Sequence, residues 1–301
     1  MRALLITNPA AARTRAVTVK AITTMLKAGG WTLDVLATGG PGDARRLAGL
    51  GVEQGVDVVA VFGGDGTTMQ AAAALVGSDV ALGLIPGGTG NLLAGNLRLP
   101  SNPLRAAATM LRGEARPIDL GRIMRDDGAH YFAVACGAGI DARVMVETPT
   151  LLKQKWGMMA YVATTLRLIP ELRSVPFDIT VDGEEFHADA AMLLVANCGE
   201  VIPRMIRLGP GISPDDGILD VVAMHANSFG TGVRAVWDLL RDAPGVYGRD
   251  AFVGYARGRE ITIRSPGGPV PVQLDGEPGG QTDFTATVVP GAIRVMMPKR
   301  G

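Results

Sequence analysis

The sequence predicts two unlike halves: an α/β domain on a parallel sheet over residues 1–121, and a β-rich, mostly antiparallel domain over residues 122–290. Three observations predict it. Short apolar runs alternate with helical patterns through the first third, as βαβ units require. Two of those runs end in glycine clusters, GGDGT at Gly63–Thr67 and PGGTGN at Pro86–Asn91. From about Ile118 onward the pattern becomes alternating runs with Asp-Gly turns between them.

RALLIT and TLDVLAT are short strand-like runs, and VDVVAVF and DVALGLIP are longer ones. Between the first two, TRAVTVKAITTMLKAGG sets Val19, Ile22 and Leu26 on one helical face and stops at Gly29-Gly30. PGDARRLAGLGVEQG begins a helix with Pro41 near its start and Asp43 in its first turn. TTMQAAAALVG is an alanine-rich helix closed by glycine, and SNPLRAAATMLRGEARP leads out of the first domain. The second half carries the runs PIDLGRIM, HYFAVAC, FDITVDGEEFHADAAMLLVAN, ILDVVAMH, EITIRS, VPVQLDGEP and FTATVVPGAIRVMM. Two helical pieces interrupt it, LLKQKWGMMAYVATTLRLIPELR and TGVRAVWDLLRD.

Composition removes several classes of function. A hydrophobic content of 47% with 19% charged residues describes a folded domain rather than a disordered chain. Zero formal net charge and 5% aromatics argue against nucleic acid as a partner. Cys136 and Cys198 each end an apolar run and read as buried free thiols of a cytoplasmic protein. No run reaches the ~18 apolar residues of a membrane span. A membrane partner would therefore be met at its surface. Lys153, Lys155, Trp156 and Met158-Met159 give one helical piece a face suited to such contact, or to ordinary core packing beside a solvated basic end. The sequence leaves association into a homodimer open.

Glycine at a strand end lets backbone N–H groups approach a ligand, and a helix beginning there aims its positive end at the same point. Ligands of open α/β sheets bind at that edge. Both clusters therefore suit a phosphate. Asp65 would repel a bare anion, so it predicts Mg²⁺ between carboxylate and phosphates. In the second cluster Thr89 and Asn91 add side-chain donors and acceptors. No GxxxxGK[ST] occurs, which removes a P-loop. GAGIDA at Gly137–Ala142 matches a dinucleotide fingerprint by letter only, because no Rossmann unit follows it. Late in the chain, QLDGE sets Asp275 and Glu277 on a turn. From the residues alone this is a catalytic acid pair or a plain hairpin tip like VDGE at Val181–Glu184.

NPAAARTR at Asn8, Gly42-Asp43, GGDGT, PGGTGN and LDGEP together resemble the diacylglycerol kinase catalytic family. That family includes bacterial lipid kinases and sphingosine kinases and is distantly kin to NAD kinases and phosphofructokinases. The likeness runs from about residue 3 to residue 298. It implies transfer of the γ-phosphate of ATP, with Mg²⁺, to a lipid hydroxyl such as that of diacylglycerol or a sphingoid base at a membrane surface. It also implies an NAD-kinase-like nucleotide domain to which the last strand, about 291–301, returns, with the site in a cleft between the domains. Carried over position by position, Asn8, Thr38, Gly64, Asp65, Gly66, Thr67, Thr68, Met69, Gln70, Thr89 and Asn91 contact the nucleotide. Glu277 accepts the proton, Asp275 is its neighbour in the turn and a further nucleotide contact, and Asp65 joins Glu277 in catalysis. In GPGISPDDGILDVV the Asp216 side chain and the Ser213 and Ile218 carbonyls match a structural Mg²⁺ site. Met69, Gln70 and Leu92 depart from the family, where Asn, Glu and often Asp stand, and this bears on metal affinity and substrate class. Two rival readings are an NAD-kinase-like enzyme and a non-catalytic module binding nucleotide or lipid.

Overall fold

The computed structural model describes residues 1–139, 174–202, 206–209, 211–225 and 253–299. Both helical pieces expected in the second half, with Lys153 to Met159, lie outside them. The chain divides into two compact units, Met1–Asp119 with Gly291–Gly301, and Leu120–Pro290.

In the first unit the order is β1 (Arg2–Thr7), α1 (Ala16–Ala28), β2 (Thr32–Ala37), α2 (Asp43–Glu53), β3 (Val58–Gly63), α3 (Asp65–Leu75), β4 (Ala81–Pro86), α4 (Leu92–Asn96) and α5 (Pro103–Arg112), and β5 (Glu114–Arg125) begins there and runs on into the second unit. Strands β2, β1, β3 and β4 lie side by side in that order, all parallel. Their two faces are both covered. Leu5, Ala60 and Phe62 meet Ile22 and Leu26 of α1 and Met110 of α5 on one face. Leu4 and Val59 point the other way, and a Cβ added at Gly51 of α2 would lie 2.7 Å from Val59 Cγ2. Burial on both faces is why VDVVAVF and VALGLIP read as unbroken apolar runs. Helix α5 starts at Pro103 behind Asn102, whose side chain accepts the N–H groups of Leu104 and Arg105.

The second unit continues with β6 (Gly128–Phe132), β7 (Ala135–Gly139), β8 (Val175–Val181), β9 (Glu184–Ala190), β10 (Met192–Ala196), β11 (Glu200–Ile202), β12 (Ile206–Arg207) and β13 (Leu219–Met224). It ends with β14 (Val253–Gly258), β15 (Glu260–Arg264), β16 (Pro271–Leu274), β17 (Glu277–Gln281) and β18 (Phe284–Met297). One sheet, β14-β13-β10-β7-β16-β17, is antiparallel throughout. The opening half of β18 pairs with β15, and β15, β8 and β9 follow antiparallel. Alternate residues of the two sheets fill one core: Phe177, Ile179, Ile261 and Ile263 from one side, Leu193, Val195, Leu219 and Val221 from the other. The far end of β18 lies parallel to β4, with Arg294 opposite Ala81, so this strand belongs to both units. Gly137 and Gly139 sit within β7, between antiparallel β10 and β16, which removes the dinucleotide-fingerprint reading of GAGIDA. Cys136 and Cys198 are both buried thiols outside any disulfide among the described residues. Among the described residues no helix is long and apolar enough to cross a membrane.

Candidate active site

In the first unit the two glycine clusters are fused to each other. β3 ends at Gly63, Gly64 is the N-cap of α3, and Asp65 is already in the first helical turn. Gly64 contributes no capping side chain, so the N–H groups of that turn have no side-chain cap. The Gly87 and Gly88 N–H groups both donate to the Gly63 carbonyl, at 2.8 and 3.1 Å. A Cβ on Gly88 would lie 2.7 Å from the Gly64 Cα, and one on Gly90 would lie 2.6 Å from Asp65 Oδ2. Main chain thus packs directly on main chain, and the glycines are required by that approach. The Asp65 carboxylate crosses the gap: its Oδ1 accepts the Leu92 N–H at 2.6 Å. Asn91 adopts a left-handed conformation and closes its own loop, accepting from Gly88 N–H at 3.0 Å and donating to Gly88 O at 2.9 Å. The junction opens on a small recess lined by Gly63, Asp65, Thr68, Pro86, Asn91 and Leu93.

The loops after β1 and β2 are tied to the same place. Asn8 donates its side-chain amide to Thr67 Oγ1 at 2.8 Å, and its N–H to Phe62 O. The Thr38 N–H donates to Thr7 O at 2.9 Å. Gln70 Oε1 accepts the Gly42 N–H at 3.1 Å, joining α3 to the turn before α2. Asp43 accepts the Gly39 N–H at 2.7 Å, and that bond first, then Arg46, holds its carboxyl below the ordinary range. Thr67 and Thr68 are buried, Gly66 and Met69 are half-buried, and Thr89 is exposed at the tip of the second loop.

In the second unit Asp275 and Gly276 form the two-residue turn between β16 and β17, both at positive φ, and Glu277 pairs with Leu274 across it. Asp275 faces inward. Its carboxylate accepts three successive N–H groups, from Ala133 at 2.6 Å, Val134 at 2.8 Å and Ala135 at 2.9 Å. Asn197 and Cys198 hold the Ala133 carbonyl from the other side. Burial pushes the Cys198 thiol well above its ordinary value, reinforced by the charges of Asp275 and Glu200. Glu277 is exposed. Arg125 braces this hairpin, donating to Gly279 O at 2.9 Å and Asp283 O at 3.2 Å while stacking over Phe284.

The Diacylglycerol kinase catalytic domain family matches residues 2–123, and the YegS C-terminal NAD kinase beta sandwich-like domain matches residues 134–297. The chain is 31% identical over 262 residues to the "Diacylglycerol kinase" of Mycobacterium tuberculosis (strain CDC 1551 / Oshkosh), a match that covers 86% of this chain and 82% of that protein. The chain belongs to the diacylglycerol kinase family. Another relative is the "Probable lipid kinase YegS-like" protein of Xanthomonas euvesicatoria pv. vesicatoria (strain 85-10), 32% identical over 91% of this chain and 89% of that one. A crystal structure of a candidate diacylglycerol kinase from Bacillus anthracis str. Sterne superposes with a TM-score of 0.82 over 98% of this chain and 96% of that one, at 25% identity.

In this family member the first unit gathers Asn8, Thr38, Asp65, Thr67, Gln70 and Asn91 at the carboxyl ends of neighbouring strands. The Asp275 carboxylate, carried over as a nucleotide contact, lies on the 133–135 turn. Sequence reasoning missed Arg13 and Thr14. The Arg13 N–H donates to Gly87 O at 2.9 Å, and the buried Thr14 hydroxyl, without a hydrogen-bond partner among the described residues, lies beside Gly87. NPAAARTR has no spacing that marks either residue.

Two expected outcomes follow for stability. Gly88→Ala drives a methyl into the Gly64 backbone and is expected to cost about 1–3 kcal/mol. Gly64→Ala, whose Cβ would meet Gly88 Cα at 3.6 Å, is expected to cost less. Urea unfolding of both variants checks the order. The second outcome concerns pH. Although Asp275 is partly exposed as a residue, its carboxylate is enclosed, and burial raises it from 3.8 to about 6 against the three N–H groups that pull it down. The folded state keeps this proton to higher pH than the unfolded chain. Its stabilising contribution is present below 3.8 and is lost as pH rises through about 6. Asp275→Asn, which cannot titrate, is expected to gain on the wild type by about 3 kcal/mol between about pH 4 and about pH 7. A change of opposite sign in the urea midpoints would show that the N–H groups outweigh burial.

Proposed function

We propose that the protein is an ATP-dependent lipid kinase, moving the γ-phosphate of ATP to the hydroxyl of a lipid such as diacylglycerol or a sphingoid base. The observation that carries this reading is the fused pair of glycine loops with the Asp65 carboxylate set between them. Bare main chain at a helix start suits phosphate oxygens. An acid in the same place suits phosphates only when a divalent cation comes with them. The residues therefore fit Mg²⁺ held with ATP, with Asp65 as the holding side chain. Such an ion, held by Asp65, would supply neutralisation of the phosphate charge during transfer.

The chain's own groups do the remaining work. The α3 N-terminus and the loop after β4 orient the phosphates, and Asn8 and Gln70 hold those loops in place. Glu277, exposed at the start of β17, takes the proton of the lipid hydroxyl. The hydroxyl oxygen bonds to the γ-phosphorus while the bond to the β–γ bridging oxygen breaks, and ADP leaves. Asp275 and Arg125 position the hairpin that carries Glu277. Because ATP and a membrane lipid must meet, the reaction belongs at the cytoplasmic face of a membrane.

The test is incubation with γ-labelled ATP and, separately, total lipid extract, diacylglycerol, a sphingoid base and NAD. Label in a lipid product, identified by mass spectrometry, supports the reading. Label in NAD, or only in inorganic phosphate, overturns it.

A further inference from the structure

The loop between Gly211 and Asp220 is where the family resemblance sets a structural Mg²⁺ on the Asp216 side chain and the Ser213 and Ile218 carbonyls, and the engagement of the Asp216 side chain does not fit that ion. Asp216 has both carboxylate oxygens engaged. Its Oδ1 accepts the Ile218 N–H at 3.1 Å, and its Oδ2 accepts Arg257 Nη2 at 2.9 Å. The same Nη2 reaches the Gly211 carbonyl at 3.3 Å. Arg257 Nε lies 2.8 Å from Oδ1 of Asp220, its partner across the β13–β14 ladder. Among the described residues no group of three His, Cys, Asp or Glu side chains could hold a metal ion.

These contacts have one centre. Two carboxylates and a carbonyl from the loop and the start of β13 converge on a single guanidinium. The arrangement has a reason in burial. Asp220 is 4% exposed, and its Oδ2 has no hydrogen-bond partner among the described residues. A buried carboxylate needs a counter-charge, and a fork with several donors supplies it to two acids at once. Arg257 keeps its head half-exposed, with its Nε side on Asp220 and its terminal nitrogen on the loop.

We propose that Arg257 is the resident cation of residues 211–220, standing where a divalent ion would otherwise sit, so that this loop folds without metal. The inference does not rest on the kinase reading, because neither nucleotide nor lipid enters it.

The test is thermal unfolding of the full chain without nucleotide, in excess EDTA and then in excess Mg²⁺ or Ca²⁺. The wild type is expected to unfold at the same temperature in all three. Arg257→Ala bares an Asp216–Asp220 oxygen pair that a hard cation can bind. Its midpoint is expected to fall by about 4–8 °C in EDTA and to recover at least in part with Mg²⁺ or Ca²⁺. Arg257→Lys keeps the charge without the fork, so an intermediate midpoint is expected, and this variant serves if the alanine variant does not fold. A wild-type midpoint that drops in EDTA and returns with Mg²⁺ would overturn the proposal. So would Arg257→Ala unfolding at the wild-type temperature.

Discussion

Glu277→Gln is expected to lower kcat by about 10³-fold, within the 10²–10⁴ range that a positioned general base supplies, and to leave the fold intact. The reason for separating the two effects is local. Glu277 is exposed, and its backbone, which pairs with Leu274 in the ladder, is unchanged by the amide. The hairpin is held instead by Asp275 and Arg125, which the substitution does not touch. The thermal midpoint and KM for ATP should therefore match the wild type, while single-turnover phosphoryl transfer collapses. A loss smaller than about tenfold would remove Glu277 as the base. Arg125→Ala provides the contrast. It loosens the hairpin and should lower both kcat and the midpoint.

How much of this was legible before the structure depends on sequence separation. Strands β3 and β4 are buried on both faces, so their runs stand out, and the glycine clusters mark where each strand meets the next element. Asp65 could be singled out because an acid inside such a cluster would repel the anion that the bare main chain suits. What stayed hidden are bonds between residues far apart in the chain. The Asp65–Leu92 bond spans 27 residues, the Asp216–Arg257 pair 41, and the Asp275 bonds at least 140. No periodicity encodes such pairs. The two Asp-Gly turns make the point most directly. Asp182 and Asp275 have nearly the same φ, 49° and 48°, and each is followed by a glycine at positive φ. Both direct their carboxylates at backbone N–H groups of another segment, Arg259 and Glu260 in one case, Ala133 to Ala135 in the other. The local letters agree; only the third dimension distinguishes a clasp between β8 and β15 from the brace under Glu277. The same limit explains Arg257, which sits in an unremarked YARGRE and becomes meaningful only opposite Asp220.

Asp65 does two things at once, and a pair of substitutions is expected to separate them. As an acceptor it fixes the Leu92 N–H and so the end of the second glycine loop. As a charge it is the group proposed to hold the cation that accompanies ATP. Asp65→Asn retains an oxygen for the Leu92 N–H and loses the charge. Its thermal midpoint should stay close to the wild type while turnover falls by about 10³-fold, equivalent to about 4 kcal/mol of transition-state stabilisation. Asp65→Ala loses both functions. An unpaired N–H in a half-buried loop adds about 1–3 kcal/mol of destabilisation, so here the midpoint should fall along with the rate. The asparagine variant is the decisive one, because its two readouts diverge only if the charge itself is used. Should Asp65→Asn turn over like the wild type, the carboxylate would be a loop fastener alone, and the cation would have to be held by other groups.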